Sequence, residues 1–233
     1  MAAKAGGSGR FLLVLVAIAA AGGFALWQST RRGGGTPVDA AVLPADTADF
    51  RGYVLGADSA PVTIVEYADY SCGHCASFAA VQFPDVRTRL IDAGRVRWVF
   101  RDFPLQNNPN SVTAAHAAAC ADEQGRYWEM QEAIFQAQGQ WARPGNPSRA
   151  LRDVARSVGL DLGAYGDCMD ARRHEARIAA SYQEGSRLGV NSTPTFLIGG
   201  RLYPGNQPYD RLRALADSLA PAAPQAPPVP ATP

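Results

Sequence analysis

Residues 67–75 read Tyr-Ala-Asp-Tyr-Ser-Cys-Gly-His-Cys, and they decide the fold because they place two cysteines between a predicted strand and a predicted helix. The residues before them, 62–65, are Val-Thr-Ile-Val, an apolar and β-branched run that is typical of a buried strand. Residues 76–81 are mostly small and apolar and predict the first turns of a helix. Two cysteines at such a turn can close a small disulfide, so the pattern predicts redox chemistry.

The two cysteines have different predicted roles. Cys72 stands at the helix N-terminus, where unpaired backbone N–H groups and the helix dipole favour a thiolate, so it is the expected nucleophile. Cys75 is the expected resolving thiol, which attacks a mixed disulfide formed at Cys72. His74 lies between them and can stabilise the thiolate by charge or by a hydrogen bond.

Other uses of a Cys-x-x-Cys motif fit the sequence less well. A zinc site takes about four ligands, and the sequence has no second Cys-x-x-Cys or His-x-x-x-His motif. Covalent haem attachment requires histidine after the second cysteine, where this chain has Ala76. We therefore expect no metal and no organic cofactor, while a purely structural disulfide stays open as an alternative.

Composition limits the partners and the compartment. The 233 residues have a formal net charge of +1 and no basic block that could follow phosphates, so no nucleic-acid partner is expected. The cysteines form an even set, which suits a compartment that permits disulfides. They are Cys72, Cys75, Cys120 and Cys168.

The N-terminus predicts export from the cytoplasm. Residues 11–27 form an uncharged, mostly apolar stretch that follows a basic start, and 17 residues is at the short end for a membrane span. We interpret residues 1–27 as an uncleaved signal anchor in the inner membrane, with a cleaved signal peptide as the alternative. Trp27 suits the membrane interface. Both interpretations place the remainder in the periplasm or at the cell surface.

Composition also predicts the domain boundaries. Residues 28–49 are rich in Gly, Ala, Thr and Pro and are expected to be a flexible linker. Residues 50–219 are expected to form the folded domain, with a helical insertion at about 109–189. The Pro/Ala-rich residues 220–233 predict a disordered tail.

Within the domain the pattern changes from strand to helix and back. We predict a helix over residues 72–93 with a kink at Pro84, followed by a strand over 96–100. The apolar residues 195–198 and 201–203 flank Gly199-Gly200, which predicts a hairpin.

This order resembles the DsbA-like branch of the thioredoxin superfamily over about residues 51–219. The resemblance rests on residues 66–75, on the pair Cys120 and Cys168 in the helical region, and on residues 190–195, Val-Asn-Ser-Thr-Pro-Thr. It implies an α/β thioredoxin fold that is interrupted by an all-helical subdomain.

The resemblance also implies several site residues. Thr193 and Pro194 should form a cis peptide that lies against the active-site disulfide and presents the substrate backbone. Glu66 should be a partly buried acid that relays protons for Cys75, and the alternative is an ordinary solvated strand end. Cys120 and Cys168 should form a structural disulfide, with two free thiols or a second redox pair as alternatives.

Five further residues have simpler expectations. We expect Asp69 to be a loop carboxylate and His116 and His174 to lie on the surface. The aromatic residues Tyr127 and Trp128 are expected in the core.

The expected function is exchange of disulfides with unfolded or thiol-containing secreted or envelope proteins, together with a membrane redox partner. Gly73 replaces the proline that is common in strong oxidants, so the direction of electron flow stays open. The alternatives are a disulfide isomerase or reductase, and a non-catalytic holdase that binds peptides in the same groove.

Overall fold

The computed structural model describes residues 38–39, 50–143 and 145–220. The predicted anchor, most of the predicted linker and all but the first residue of the predicted tail lie outside these residues. Across the part of the chain that is described, no helix is both long enough and apolar enough to cross a membrane.

The described strands form one six-stranded sheet in the order β1-β6-β5-β3-β4-β2. The strands are β1 (Val38–Asp39), β2 (Tyr53–Leu55), β3 (Val62–Ala68), β4 (Val96–Asp102), β5 (Thr195–Ile198) and β6 (Arg201–Pro204). β3 and β4 are parallel, and the other neighbouring pairs are antiparallel. The pairing of β1 with β6 adds a short strand inside the stretch that was predicted as a linker.

The helices mostly lie between β4 and β5. They are α1 (Gly73–Val81), α2 (Phe83–Val86), α3 (Ser111–Asp122), α4 (Tyr127–Gln136), α5 (Gln138–Trp141), α6 (Ser148–Ser157), α7 (Leu162–Asp170), α8 (Glu175–Leu188) and α9 (Tyr209–Leu219). α3 to α8 form the helical region, whereas α1 connects β3 to β4 through α2. The thioredoxin-like α/β fold with added helices is therefore present.

The helix that follows the cysteines is interrupted, as the position of Pro84 predicts. α1 ends at Val81, α2 begins at Phe83, and a π-helical turn over Arg87–Ile91 completes the connection. Because proline has no backbone N–H, the ladder of helical hydrogen bonds cannot run through it unbroken.

The predicted hairpin is confirmed. Ile198 pairs with Arg201 across a two-residue loop. Gly199 and Gly200 have φ angles of 55° and 77°, the left-handed conformation that this turn requires at both positions.

Hydrophobic clusters cover both faces of the sheet. On one face, Phe78 of α1 stacks on Trp98 of β4, with ring centroids 5.9 Å apart, and also packs on Phe196 of β5. The buried, alanine-rich helix α3 belongs to a cluster with Phe100 on the same face, whereas Leu188 of α8 is clustered with Tyr67 on the opposite face. The disulfide between Cys120 and Cys168 joins α3 to α7 inside the helical region.

The predictions for the two histidines need correction. His116 is 4% exposed and not on the surface, and His174 is half-buried beside it. Their rings lie 5.9 Å apart because the segment after α7 folds back over α3. Asp69 lies in the loop after β3, as predicted, and its side chain is buried there. Tyr127 is buried as predicted, whereas Trp128 is only partly buried against the core.

Candidate active site

Cys72 occupies the end of the turn between β3 and α1. Its backbone N–H donates to the carbonyl oxygen of Asp69 over 3.0 Å, which closes the turn, and it serves as the N-cap of α1. The side chain is half-buried and keeps access to solvent, while the first backbone N–H groups of α1 are free of helical partners. The sulfur therefore lies where a negative charge is stabilised.

The pKa of Cys72 falls from 9.0 to about 5. The largest cause is a hydrogen bond from the Cys75 thiol, followed in the same direction by the side chain of Thr193 and by the backbone N–H groups of Cys75 and His74. Partial burial opposes the shift. At neutral pH the sulfur of Cys72 is therefore a thiolate.

The pKa of Cys75 shifts in the opposite direction, although Cys75 lies only one helical turn from Cys72. Its side chain is fully buried, and burial raises its pKa well above the usual value. The neighbouring Cys72 and Glu66 raise it further. The two cysteines are not bonded to each other in the structure, so a half-buried Cys72 thiolate lies beside a buried, protonated Cys75 thiol.

Glu66 lies in the centre of the sheet and is 3% exposed. It pairs with Phe100 of β4 on one side and with Phe196 of β5 on the other. Burial among these strands raises its pKa to about 8, and the Trp98 indole offsets this only in part. Glu66 is thus a buried acid that keeps its proton at pH 7 and is close enough to influence the pKa of Cys75.

The segment before β5 closes the site from the other side. The Thr193–Pro194 peptide bond is cis, and the Cys72 thiol donates to the carbonyl oxygen of Thr193 over 3.3 Å. The Thr193 hydroxyl is buried and has no hydrogen-bond partner among the described residues while Cys72 carries its proton. It is placed to donate to the sulfur once the proton leaves.

His74 contributes to the site through its backbone N–H group. Its side chain is exposed, and no hydrogen bond from its imidazole occurs within the described ranges. Its backbone N–H contributes to the low pKa of Cys72.

Two supports of the turn come from contacts that no local sequence pattern indicates. The Asp69 carboxylate accepts hydrogen bonds from the backbone N–H groups of Ser71 and Leu105, over 2.8 and 2.9 Å, and from the Ser111 hydroxyl. Gln138 of α5 donates from Nε2 to the carbonyl oxygens of Tyr70 and Cys72, over 2.7 and 3.1 Å. The partners are 2 to 68 residues apart in the chain, so local patterns cannot reveal most of these contacts.

A second buried acid was also missed. Asp102 at the end of β4 is 1% exposed, and neither carboxylate oxygen has a hydrogen-bond partner within the described part of the chain. Burial raises its pKa to about 7, although the nearby Arg177 and Arg101 oppose the shift. The clusters of side chains that could ligate a metal in the described part of the chain lie around Cys120 and Cys168, and neither cluster includes Cys72.

Comparisons with known proteins agree with this geometry. Residues 49–218 match the Thioredoxin family model. Disulfide bond formation protein D of Bacillus subtilis is 25% identical over 166 residues, which are 69% of this chain and 73% of the relative. The solved structure of the thiol-disulfide exchange protein alpha-DsbA2 from Wolbachia pipientis is 27% identical with a TM-score of 0.63, and the match covers 74% of this chain and 89% of that one.

Several other relatives carry the name of a transporter. A Na(+)/H(+) antiporter NhaA 1 of Salinispora arenicola is 35% identical over 169 residues, which are 72% of this chain but 24% of the antiporter. The chain thus spans about a quarter of the length of that curated relative. With the paired cysteines beside a cis-proline and with the family match, the chain belongs to the thioredoxin family and resembles its DsbA-like branch.

Proposed function

We propose that the chain is an extracytoplasmic thiol–disulfide oxidoreductase that exchanges disulfides with secreted or envelope proteins through Cys72 and Cys75. The observation that carries this proposal is the contrast between the two thiols. Cys72 has solvent access and a pKa of about 5, whereas Cys75 is buried and has a raised pKa. In such a pair, the accessible sulfur exchanges with the substrate, and the buried sulfur resolves the mixed disulfide inside the protein.

Each step can be assigned to residues of the site. A substrate thiolate attacks the Cys72 sulfur of the oxidised pair, the Cys72–Cys75 bond breaks, and Cys75 leaves as a thiolate. Glu66 holds a proton at pH 7 and gives it to Cys75, whose burial disfavours the charge. A second substrate thiolate then attacks the substrate sulfur of the mixed disulfide, and Cys72 leaves as a stabilised thiolate. The substrate becomes oxidised by two electrons and the enzyme pair becomes reduced.

The remaining site residues orient these atoms. Thr193 presents a carbonyl oxygen at the cysteine pair, and Thr193 with Pro194 would hold the backbone of an extended substrate. His74 contributes its backbone N–H and, when its exposed imidazole is protonated, a positive charge near the thiolate.

The low pKa of Cys72 favours oxidation over the alternative functions. A thiolate that the protein stabilises makes the reduced state more stable and therefore makes the disulfide a stronger oxidant. An isomerase or a reductase would need a more stable disulfide. A holdase would need no reactive thiol.

The proposed location rests on the apolar residues 11–27 and on the cysteine content. We infer that residues 1–27 anchor the domain to the inner membrane and that a membrane redox protein reoxidises the cysteine pair. Disulfide exchange with secreted proteins requires this side of the membrane, because cytosolic thiols are kept reduced.

An oxidative folding assay tests the proposed activity. The oxidised full chain should restore activity to a reduced, unfolded protein with several disulfides, and Cys72→Ser should abolish this. Cys75→Ser, given a scrambled form of the same protein that already contains disulfides, should accumulate a mixed disulfide, because the Cys72 thiolate displaces one substrate thiolate and no Cys75 thiol is present to release the other. Equal performance of Cys72→Ser and the parent would contradict the enzyme and support the holdase. Rapid reduction of substrate disulfides with no net oxidation would support the reductase.

A further inference from the structure

A second group of reactive side chains surrounds the disulfide of the helical region. Cys120 of α3 and Cys168 of α7 are both fully buried, and His116 precedes Cys120 by one helical turn. The ligand atoms of these three residues all lie within 4.8 Å of one another. His116 is itself 4% exposed, so its imidazole is held against the sulfurs and away from solvent.

Glu123 and His174 close the group on its solvent side. Glu123 Oε1 lies 3.6 Å from Cys168 Sγ and 2.8 Å from His174 Nε2. Glu123 follows Cys120 by three residues and His116 by seven, a spacing that puts all three side chains on one face of a helix. Cys168 faces them from α7.

This set of side chains has the composition of a zinc site. Two thiolates, one imidazole and one carboxylate are ligands that Zn²⁺ accepts in a tetrahedral arrangement with bond lengths of about 2.0–2.3 Å. Those bond lengths place ligand atoms about 3.3–3.8 Å apart, which side-chain rotations can reach from the present positions. The disulfide prevents metal binding only because bonded sulfurs are not thiolates.

We propose that the chain with reduced Cys120 and Cys168 binds one Zn²⁺ ion through these two sulfurs, His116 and Glu123. His174 then acts as a positioning residue, because it holds the Glu123 carboxylate through its hydrogen bond. Metal and disulfide are mutually exclusive, and each of them joins α3 to α7.

A dithiol reductant can convert the Cys120–Cys168 disulfide into the form that binds zinc. The reductant transfers two electrons to the Cys120–Cys168 bond, forms its own disulfide and leaves a proton on each sulfur of the chain. Zn²⁺ then binds both sulfurs and displaces the two protons. Bound metal would also slow the return of the disulfide, since both sulfurs are occupied.

The test uses the full chain in the Cys72→Ser/Cys75→Ser background, so that the active-site thiols cannot bind metal. After reduction and removal of the reductant under argon, Co²⁺ replaces Zn²⁺ as a spectroscopic probe. We expect one Co²⁺ per chain with thiolate-to-metal charge transfer and tetrahedral ligand-field bands, and displacement of Co²⁺ by Zn²⁺. The same chain with its disulfide intact should bind no Co²⁺ at this site.

Variants identify the ligands. His116→Ala should abolish stoichiometric binding, and His174→Ala should weaken it by about 10–100-fold. Glu129→Gln, a change at an exposed glutamate of α4, serves as the control and should bind as the parent does. Circular dichroism of each oxidised variant checks the fold independently of metal. Absence of binding by the reduced parent, or equal affinity of His116→Ala and the parent, would overturn the proposal.

Discussion

The two active-site cysteines have the same side chain, but their positions shift their pKa values in opposite directions. Cys72 caps α1 and receives hydrogen bonds from several donors, whereas Cys75 lies inside the first turn and is fully buried. The charged form is stabilised at the first position by hydrogen bonds and disfavoured at the second by desolvation. We therefore expect the sulfur of Cys72, which keeps access to solvent, to be the one that meets the substrate.

The raised pKa of Glu66 leads to a prediction about how stability depends on pH. Its pKa is about 8 in the folded chain and 4.5 ordinarily, so the folded state retains a proton that the unfolded state loses between these values. Stability from this group is full below pH 4.5 and declines as pH rises to 8, by up to about 1.4 kcal/mol per pH unit. We expect Glu66→Gln, which cannot ionise, to remove this decline.

Chemical denaturation of the reduced protein at several pH values measures the effect. The difference in unfolding free energy between Glu66→Gln and the parent should increase from pH 5 to pH 8. Glu129→Gln, at an exposed position, should show no such trend. Parallel pH profiles for Glu66→Gln and the parent would show that Glu66 ionises normally.

At the scale of elements, the turn between β3 and α1 is held by two segments that are distant in sequence. The cis Thr193–Pro194 segment before β5 contacts Cys72, and Gln138 of α5 donates to the backbone of the turn. The sheet and the helical region thus meet at the reactive sulfur. Movement between them would change the environment of the thiolate.

The contact from α5 leads to a second prediction. Gln138→Ala removes both hydrogen bonds to the carbonyl oxygens of Tyr70 and Cys72, and we expect a loss of about 1 kcal/mol of stability. The looser turn should also raise the pKa of Cys72, since its backbone donors are less well fixed.

Hydrogen exchange and thiolate titration measure these effects. Amide exchange should accelerate in the turn in Gln138→Ala. The control is Gln136→Ala, because Gln136 is exposed and its side chain, among the described residues, bonds to Glu132 on the surface of α4. It should change stability by less than about 0.5 kcal/mol. An unchanged Cys72 titration in Gln138→Ala would show that α5 does not support the site.

At the scale of the whole molecule, sequence patterns predict those structural features that depend on residues adjacent in the chain. The strand before the cysteines, the broken helix at Pro84 and the Gly199-Gly200 hairpin each follow from a few adjacent residues. The resemblance to the DsbA-like branch added the cis-proline segment and the Cys120–Cys168 pairing.

The other features depend on contacts between distant segments. His116 was expected on the surface because its helix is rich in alanine, yet the helices around α3 bury almost all of it. Asp69 is a loop carboxylate as predicted, but the hydrogen bonds that residues 105 and 111 donate to it come from distant segments. The supporting bonds of Gln138 likewise cross 66 and 68 residues, a separation at which local patterns carry no information.

Titration of Cys72 in the reduced full chain tests the central claim most directly, because the thiolate depends on α1, on the Thr193–Pro194 segment and on the fold that joins them. The measurement is ultraviolet thiolate absorbance against pH, with the oxidised chain as the baseline. We predict a transition near pH 5, the value at which the structure sets the pKa of Cys72. A single transition near the ordinary cysteine pKa of about 8.5 would contradict the account.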